Sequence, residues 1–429
     1  MIKCTGRYGS AEIHAKTIEN EALKQIEILL NQKAFEGSNV KIMPDVHAGA
    51  GCVIGFTGKF TNNRVIPNIV GVDIGCGMLT YNLGNTYIDY DRFDNYVKSN
   101  IPMGVRRNNN VAVKTQTLEH LSSFVSPDDI KFVCNRIGAD FTDVLNSVGT
   151  LGGGNHFIEI DRDDKSDDLY LIIHSGSRNF GKRIADWHQK KAIAILKEKK
   201  LDLKKEFESK IEAVNSQFRE EIKQEYHKIL ATFDVPDNLA FLEGKEAEDY
   251  LFDMRVAQKY ASANRRLMLE NILKFFRSDI KFNAEISFET VHNYISDKDG
   301  IIRKGAISAN KDEIVLIPLN MRDGCIIAKG KGNQNWNCSA PHGAGRLMSR
   351  TEAKSRLSLD IFQNEMKGIH SSTVNLSTLD ESPMAYKPMY EILDVLSETA
   401  EIISIIKPVY NVKSEEDEAV WRKGKKKNR

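Results

Sequence analysis

The sequence predicts an α+β chain in which mixed β-sheets are flanked by helices and interrupted by an inserted helical hairpin. Three observations predict it. Short β-branched runs broken by glycines fill much of the first 160 residues and return over about 282–345, the pattern of buried strands and tight turns. Between them, residues 185–273 contain almost no glycine and are rich in Lys, Glu, Ala and Leu, all of them helix formers except the glycine they avoid. The 429 residues, 41% hydrophobic and 28% charged, have ordinary globular composition, which excludes a wholly disordered chain.

The elements follow in order. Ile18, Ala22, Leu23, Ile26, Leu29 and Leu30 recur at three-to-four spacing, which suits an amphipathic helix. The runs VKIMPDVHAGAGCVIG and RVIPNIVGVDIGCGMLTYNL read as strands ending in glycine turns. Leu203, Phe207, Ile211, Val214, Phe218, Ile222, Tyr226 and Ile229 step by three or four, the period of a long amphipathic helix. Residues 234–236 break it, and a second helix is expected over 250–273. Helical pattern resumes over 349–363 and again over 390–406. The expected organisation is one catalytic unit over 1–413, including the insertion at about 190–273. The charged segment 414–429, acidic then basic, is expected to be a flexible tail.

Charge and cysteines narrow the chemistry. Lys plus Arg total 60 and Asp plus Glu 59, a formal net charge of +1. No basic excess argues for a nucleic-acid partner, although net charge does not say where charges sit. Cys4, Cys52, Cys76, Cys134, Cys325 and Cys338 form no Cys-x-x-Cys pair, so free thiols are expected rather than a disulfide scaffold. The N-terminal residues MIKCTGRYGSAEIHAK lack a long apolar run, and no stretch approaches the ~20 apolar residues that span a bilayer. A cytoplasmic chain with no membrane partner is the expectation.

Functional side chains sit at strand ends beside glycines, where backbone approaches a ligand closely. Asp73, Cys76, His156, His174 and His292 offer carboxylate, thiolate and imidazole ligands. They have no finger spacing, and histidines satisfied within a core are the competing explanation. Their shared strand-then-glycine context favours a site for zinc, manganese or cobalt, with a thiolate able to bridge two ions. The strings GGGNH and HGAGR expose N–H groups suited to anions. Arg178, Lys304, Arg346 and Arg350 supply charge near such turns, and Arg suits bidentate phosphate contact. No Walker A or Rossmann string and no Gly-x-Ser-x-Gly elbow is present. His342, between Pro341 and Gly343, can act as acid, base or nucleophile; the residues alone do not choose among these.

Together, GVDIGCGM, GTLGGGNHFIEI, HSGSR, VHN, RKGA and SAPHGAGRLMSR, with DESPMAYKPMYEI and IIKPVYNVK near the end, resemble the RtcB family of RNA-splicing ligases over about residues 43–413. The resemblance implies an RtcB-like catalytic unit that joins RNA 3′-phosphate or 2′,3′-cyclic phosphate ends to 5′-hydroxyl ends. It implies GTP, two Mn²⁺ ions and a covalent histidine–GMP intermediate. On this chain His342 becomes the nucleophile. Asp73, Cys76, His156, His174 and His292 become the manganese ligands, with Cys76 bridging. Asn155, Phe157, Glu159, Asn320, Asp323, Gly343, Ala344, Gly345, Arg346, Tyr386 and Lys413 become nucleotide contacts, Phe157 by stacking on guanine. Arg178, Lys304 and Arg350 become RNA phosphate contacts, and Asp45 a support of the metal site. The expected partners are RNA with broken ends, GTP and an accessory activating protein such as archease.

The chain departs from the family pattern in four places. Ile302 stands where His usually precedes Arg-Lys-Gly-Ala. Asn320, Arg322 and Asp323 replace small residues, and Pro341 replaces a small residue before His342. The helical insertion over about 196–233 looks longer than the family needs. These departures suggest a divergent, bacterial-type branch and bear mainly on substrate identity. The competing functions are a metal-dependent phosphodiesterase, a binding protein that has lost ligation, and a zinc hydrolase unrelated to RNA. A cationic cleft at the His342 turn is expected.

Overall fold

A computed structural model describes residues 2–108, 111–276 and 286–414, without the side chains of 111–115 and 216. The expected tail lies outside the described residues, apart from Ser414. The fold is α+β. Among the described residues a seven-stranded antiparallel sheet runs in the order Ile314–Asn320, Gly324–Gly330, Ala400–Lys413, Phe157–Asp163, Leu169–Ser175, Gly77–Gly84, Ser287–Val291. Its edges approach each other, since Leu316 N–H donates to Thr290 Oγ1 across 2.9 Å. The sheet therefore curls towards closure.

Alternation decides what each face buries. Ile158, Ile160, Leu171, Ile173, Tyr410 and Val412 pack outwards against Phe93, Val97, Met268, Leu269 and Ile272 of two helices, Tyr90–Asn100 and Gly244–Leu273. Met78, Phe157, Ile172, Leu316, Cys325 and Ile406 face inwards. Glu159 and Asp161 share the phase of Phe157 and are buried with it.

A second sheet of six strands runs Ile2–Thr5, Ser10–Ile13, Asn39–His47, Ile54–Gly58, Ile302–Lys304, Tyr294–Ile295. It packs against the helix Asn20–Leu30, which buries Ala22, Ile26, Leu29 and Leu30 as its spacing predicts. A two-stranded piece, Ala306–Ser308 with Ser339–Pro341, carries the chain towards His342.

Four helical expectations are corrected. The 203–229 period is not one helix. Arg178–Ala213 ends at an extended Val214, and Arg219–Ala231 folds back along it. Phe207 stacks on Tyr226 with ring centroids 4.2 Å apart. Both halves of a hairpin seam share one period, so the turn is invisible to it. The helix Gly244–Leu273 is a core element with Tyr250, Met254, Tyr260, Asn264 and Arg265 buried, not the second half of an inserted hairpin. Residues 349–363 form two short helices, Arg350–Arg356 and Leu359–Glu365. The 390–406 expectation splits into the helix Met389–Leu396 and the strand Ala400–Lys413. The β-branched run IISII favours a strand, with sheet pairing on both sides deciding it.

Candidate active site

Sheet register brings the histidine and cysteine motifs to one end of the curled sheet. Phe157 pairs with His174, Gly77 with Ser175 and Val291, and Lys413 with Phe157. Asp73 and Cys76 precede Gly77. Asn155 and His156 precede Phe157, and His292 follows Val291. Its N–H donates to Cys76 O across 2.8 Å.

The five residues form two overlapping groups, Asp73–Cys76–His156 and Cys76–His174–His292. Within each group the possible ligand atoms lie within 4.8 Å of one another. Cys76 Sγ is 3.5 Å from His156 Nε2 and 3.4 Å from His174 Nε2. Asp73 Oδ2 is 3.1 Å from His156 Nε2. The outer nitrogens are committed: His156 Nδ1 donates to Leu151 O (3.0 Å) and His174 Nδ1 to Asn155 O (3.2 Å). That fixes the tautomer with each Nε2 lone pair directed inwards, the arrangement found around ligated metals. His292 Nδ1 is buried with no partner among the described residues. Burial, reinforced by neighbouring histidines, holds His174 and His292 well below the usual imidazole range. They are therefore neutral, as ligands must be. Burial and then Asp73 push the Cys76 thiol well up, a shift that a cation reverses. The donor set fits a borderline divalent metal. Gly176 lets the backbone approach: a Cβ there would stand 2.3 Å from Asp73 Oδ1.

His342 enters from the two-stranded piece, directly after Pro341. Its Nδ1 lies 2.6 Å from Asp45 Oδ2, which also accepts the His342 N–H at 3.1 Å. Asp45 is fully buried, while His342 is 20% exposed. A carboxylate only accepts, so Nδ1 carries the proton and Nε2 the lone pair. The His342 ring centroid is 4.9 Å from that of His292. Asp45 thus orients His342. The turn is held close because Gly345, at φ +77°, lies where a Cβ would be 2.5 Å from Asp45 O. Lys387 ties both sides, with its N–H on Gly345 O (3.0 Å) and its Nζ on Pro44 O (3.0 Å).

His342 and four of the five cluster residues, all but His156, line one cavity of about 310 Å³, within the size range of small-molecule sites. Asp73, Cys76, Asn155, Phe157, Glu159, His174, His292, Asn320, His342, Gly343, Ala344, Gly345, Arg346, Arg350, Tyr386 and Lys413 all lie on its wall. Sequence reasoning missed Glu381, which also lines it. Glu381 receives Lys413 Nζ (2.8 Å), Tyr386 Oη (2.7 Å), Arg346 (3.4 Å) and Arg350 (2.5 Å). Burial opposes its ionisation, but those cations hold its carboxyl down at about 2. It lies inside DESPMAYKPMYEI, so the signal was present in the quoted motif. His47, Asn293 and Asn411 are further unassigned wall residues. Asn411 donates to Glu159. Below Phe157, burial raises both Glu159 and Asp161, and Glu159 raises Asp161 further.

The expected cationic cleft is corrected. Arg346 and Arg350 line the cavity but already face Asp380 and Glu381. Lys304 does not line it: its buried ammonium is capped by the carbonyls of Ala50 and Asn68. Arg178 does not either, its guanidinium bonding Thr150 Oγ1 and Gly104 O at 3.1 Å. Asp323 lies outside the wall, held by Asn320 (2.8 Å) and Arg322 (2.7 Å). All six cysteines are unpaired and buried. Among the described residues no helix is long and apolar enough to cross a membrane.

Comparison with known proteins agrees with this geometry. The profile of the family described as tRNA-splicing ligase RtcB matches residues 31–414. The RNA-splicing ligase RtcB of Escherichia coli K12 is 30% identical, covering 92% of this chain and 95% of its own. An RNA-splicing ligase RtcB1 from another Escherichia coli strain matches at the same identity and coverage. The tRNA-splicing ligase RtcB of Nanoarchaeum equitans is 28% identical over 87% of each chain.

Proposed function

The chain belongs to the RtcB family of RNA ligases, and from that membership we propose that it joins RNA 3′-phosphate or 2′,3′-cyclic phosphate ends to 5′-hydroxyl ends at the expense of GTP. The observation that carries this reading is His342, held by the buried Asp45, on a cavity wall shared with Asp73, Cys76, His174 and His292. His342 is the nucleophile. Its Nε2 attacks the α-phosphorus of GTP, forming an N–P bond while the bond to the bridging oxygen breaks and pyrophosphate leaves. An RNA 3′-phosphate oxygen then takes the GMP and frees the imidazole. The RNA 5′-hydroxyl attacks the activated 3′-phosphorus, loses its proton and expels GMP. A cyclic phosphate end is first hydrolysed to the 3′-phosphate.

Asp73, Cys76, His156, His174 and His292 would hold the two manganese ions. Bound manganese supplies Lewis-acid stabilisation of the phosphoryl oxygens. Phe157 offers a face to guanine, and Asn155, Glu159, Asn320, Tyr386 and Lys413 offer polar contacts around the nucleotide. Gly343, Ala344, Gly345 and Arg346 hold nucleotide phosphate by backbone N–H groups and a guanidinium, and Arg350 holds RNA phosphate.

The metal-dependent phosphodiesterase remains the second reading, because the ligand cluster alone would serve it. In that reaction the Asp45-held His342 would serve as a general acid or base rather than as a nucleophile. The test is ligation of RNAs with 3′-phosphate, 2′,3′-cyclic phosphate or 3′-hydroxyl ends to a 5′-hydroxyl partner. Joining of the first two and not the third is expected. Hydrolysis of the cyclic end without joining would instead support the phosphodiesterase.

A further inference from the structure

We infer that Asn264 and Arg265, consecutive residues of the helix Gly244–Leu273, are positioning residues that set the cation affinity of the five-ligand cluster. The inference rests on the reading of that cluster as a metal site. Both side chains are buried, at 0% and 1% exposure, and neither contacts the cavity. Asn264 Oδ1 accepts the N–H groups of Gly149 (2.8 Å) and Thr150 (3.1 Å), while its Nδ2 donates to Ser175 Oγ (3.1 Å) and Gly176 O (3.2 Å). Arg265 Nη1 donates to Gly75 O (2.9 Å) and Ser175 O (2.8 Å), and its Nε to Glu289 Oε1 (3.1 Å).

These contacts fall on every segment that delivers a ligand. Gly75 lies between Asp73 and Cys76. Thr150 precedes Leu151, whose carbonyl fixes His156. Ser175 follows His174. Glu289 lies on the Ser287–Val291 strand, which leads directly to His292. One dipeptide on one rigid helix therefore locks four chain segments to a single frame. A buried guanidinium is expensive to desolvate, typically several kcal/mol. Here it is offset by one carboxylate and two carbonyls in a fixed fork that Lys cannot reproduce. Ligand sets lose affinity when their support lets them drift by about 0.5 Å. Packing alone could be supplied by an apolar side chain, but that would leave Gly75 O and Ser175 O without these donors.

The test uses the full chain and cobalt(II) as the probe. Cobalt binding is followed by the sulfur-to-cobalt absorption band and by calorimetry, for wild type, Asn264→Ala, Arg265→Met and Arg265→Lys. The melting temperature of each metal-free variant is recorded in parallel. About 10–100-fold weaker cobalt binding is expected for Asn264→Ala and Arg265→Met, the range for groups that orient metal ligands. Arg265→Lys is expected to recover only part of it. If Arg265→Met does not fold, Glu289→Gln makes the same comparison, and weaker binding is again expected. Unchanged cobalt affinity in the folded variants, even with lowered melting temperatures, would overturn the inference and leave the dipeptide a structural brace. No cobalt band in wild type would overturn the metal reading beneath it.

Discussion

His342 has one nitrogen available because Asp45 holds the other at 2.6 Å. Substituting Asp45→Asn keeps the shape but introduces a group that can donate, so the ring can be held in the wrong tautomer. Nucleotidyl transfer to His342 is expected to fall by about 10²–10⁴-fold, as in triads whose orienting carboxylate is lost; single-turnover labelling with GTP measures it. An unchanged rate would remove Asp45 from the mechanism. Glu381 gives a prediction in pH. Its folded carboxyl titrates at about 2 against an ordinary 4.5. The stabilisation it contributes is fully present above the ordinary value and is lost as pH falls from 4.5 towards 2. That amounts to about 3 kcal/mol for a fully buried group. Urea denaturation between pH 5 and 2 checks it. Glu381→Gln is expected to flatten the acid limb, and an equally steep limb would show that other carboxylates carry it.

At the scale of elements, the Gly343–Gly345 turn is held closely against Asp45. Gly345→Ala places a Cβ 2.5 Å from Asp45 O at φ +77°, a conformation that costs a non-glycine residue about 1–2 kcal/mol before any clash. The expected outcome is a chain that still folds but labels with GTP at least tenfold more slowly. The hairpin carries the opposite expectation. The helix Arg219–Ala231 buries none of its residues. Replacing 201–230 with a short glycine-serine link should leave GTP labelling within about twofold of wild type; loss of labelling would tie the hairpin to the site. Element type was legible where one face meets one core, as in Asn20–Leu30. It failed where tertiary pairing outweighed local pattern, as in 400–406, and where two helices shared one period. Asp45 lies in the strand Asn39–His47. The six-stranded sheet that places it there depends on pairings between residues far apart in sequence.

At the scale of the molecule, the +1 net charge does not hide a free cationic cleft built from the four basic residues expected to form it. Arg346 and Arg350 face Asp380 and Glu381, and Lys304 and Arg178 are bound to protein oxygens. RNA affinity should therefore depend modestly on salt. Each single-strand phosphate contact adds about −0.7 to the slope of log affinity against log salt. A slope shallower than about −3 is expected by fluorescence anisotropy with a 5′-hydroxyl RNA, and a steeper one would require cations elsewhere. Most of the site was legible because its residues lie at strand ends beside glycines, and register alone then gathers them. The cation partners were not, because the carboxylates that meet them, Asp380 and Glu381, lie far away in sequence and carry no metal-like spacing. His342 is the proposed nucleophile. That role is tested most directly by incubating the chain with α-labelled GTP and Mn²⁺ and then separating protein from free label. An acid-labile adduct on wild type that is absent from His342→Ala is expected; no adduct on wild type, or one that persists in His342→Ala, would contradict it.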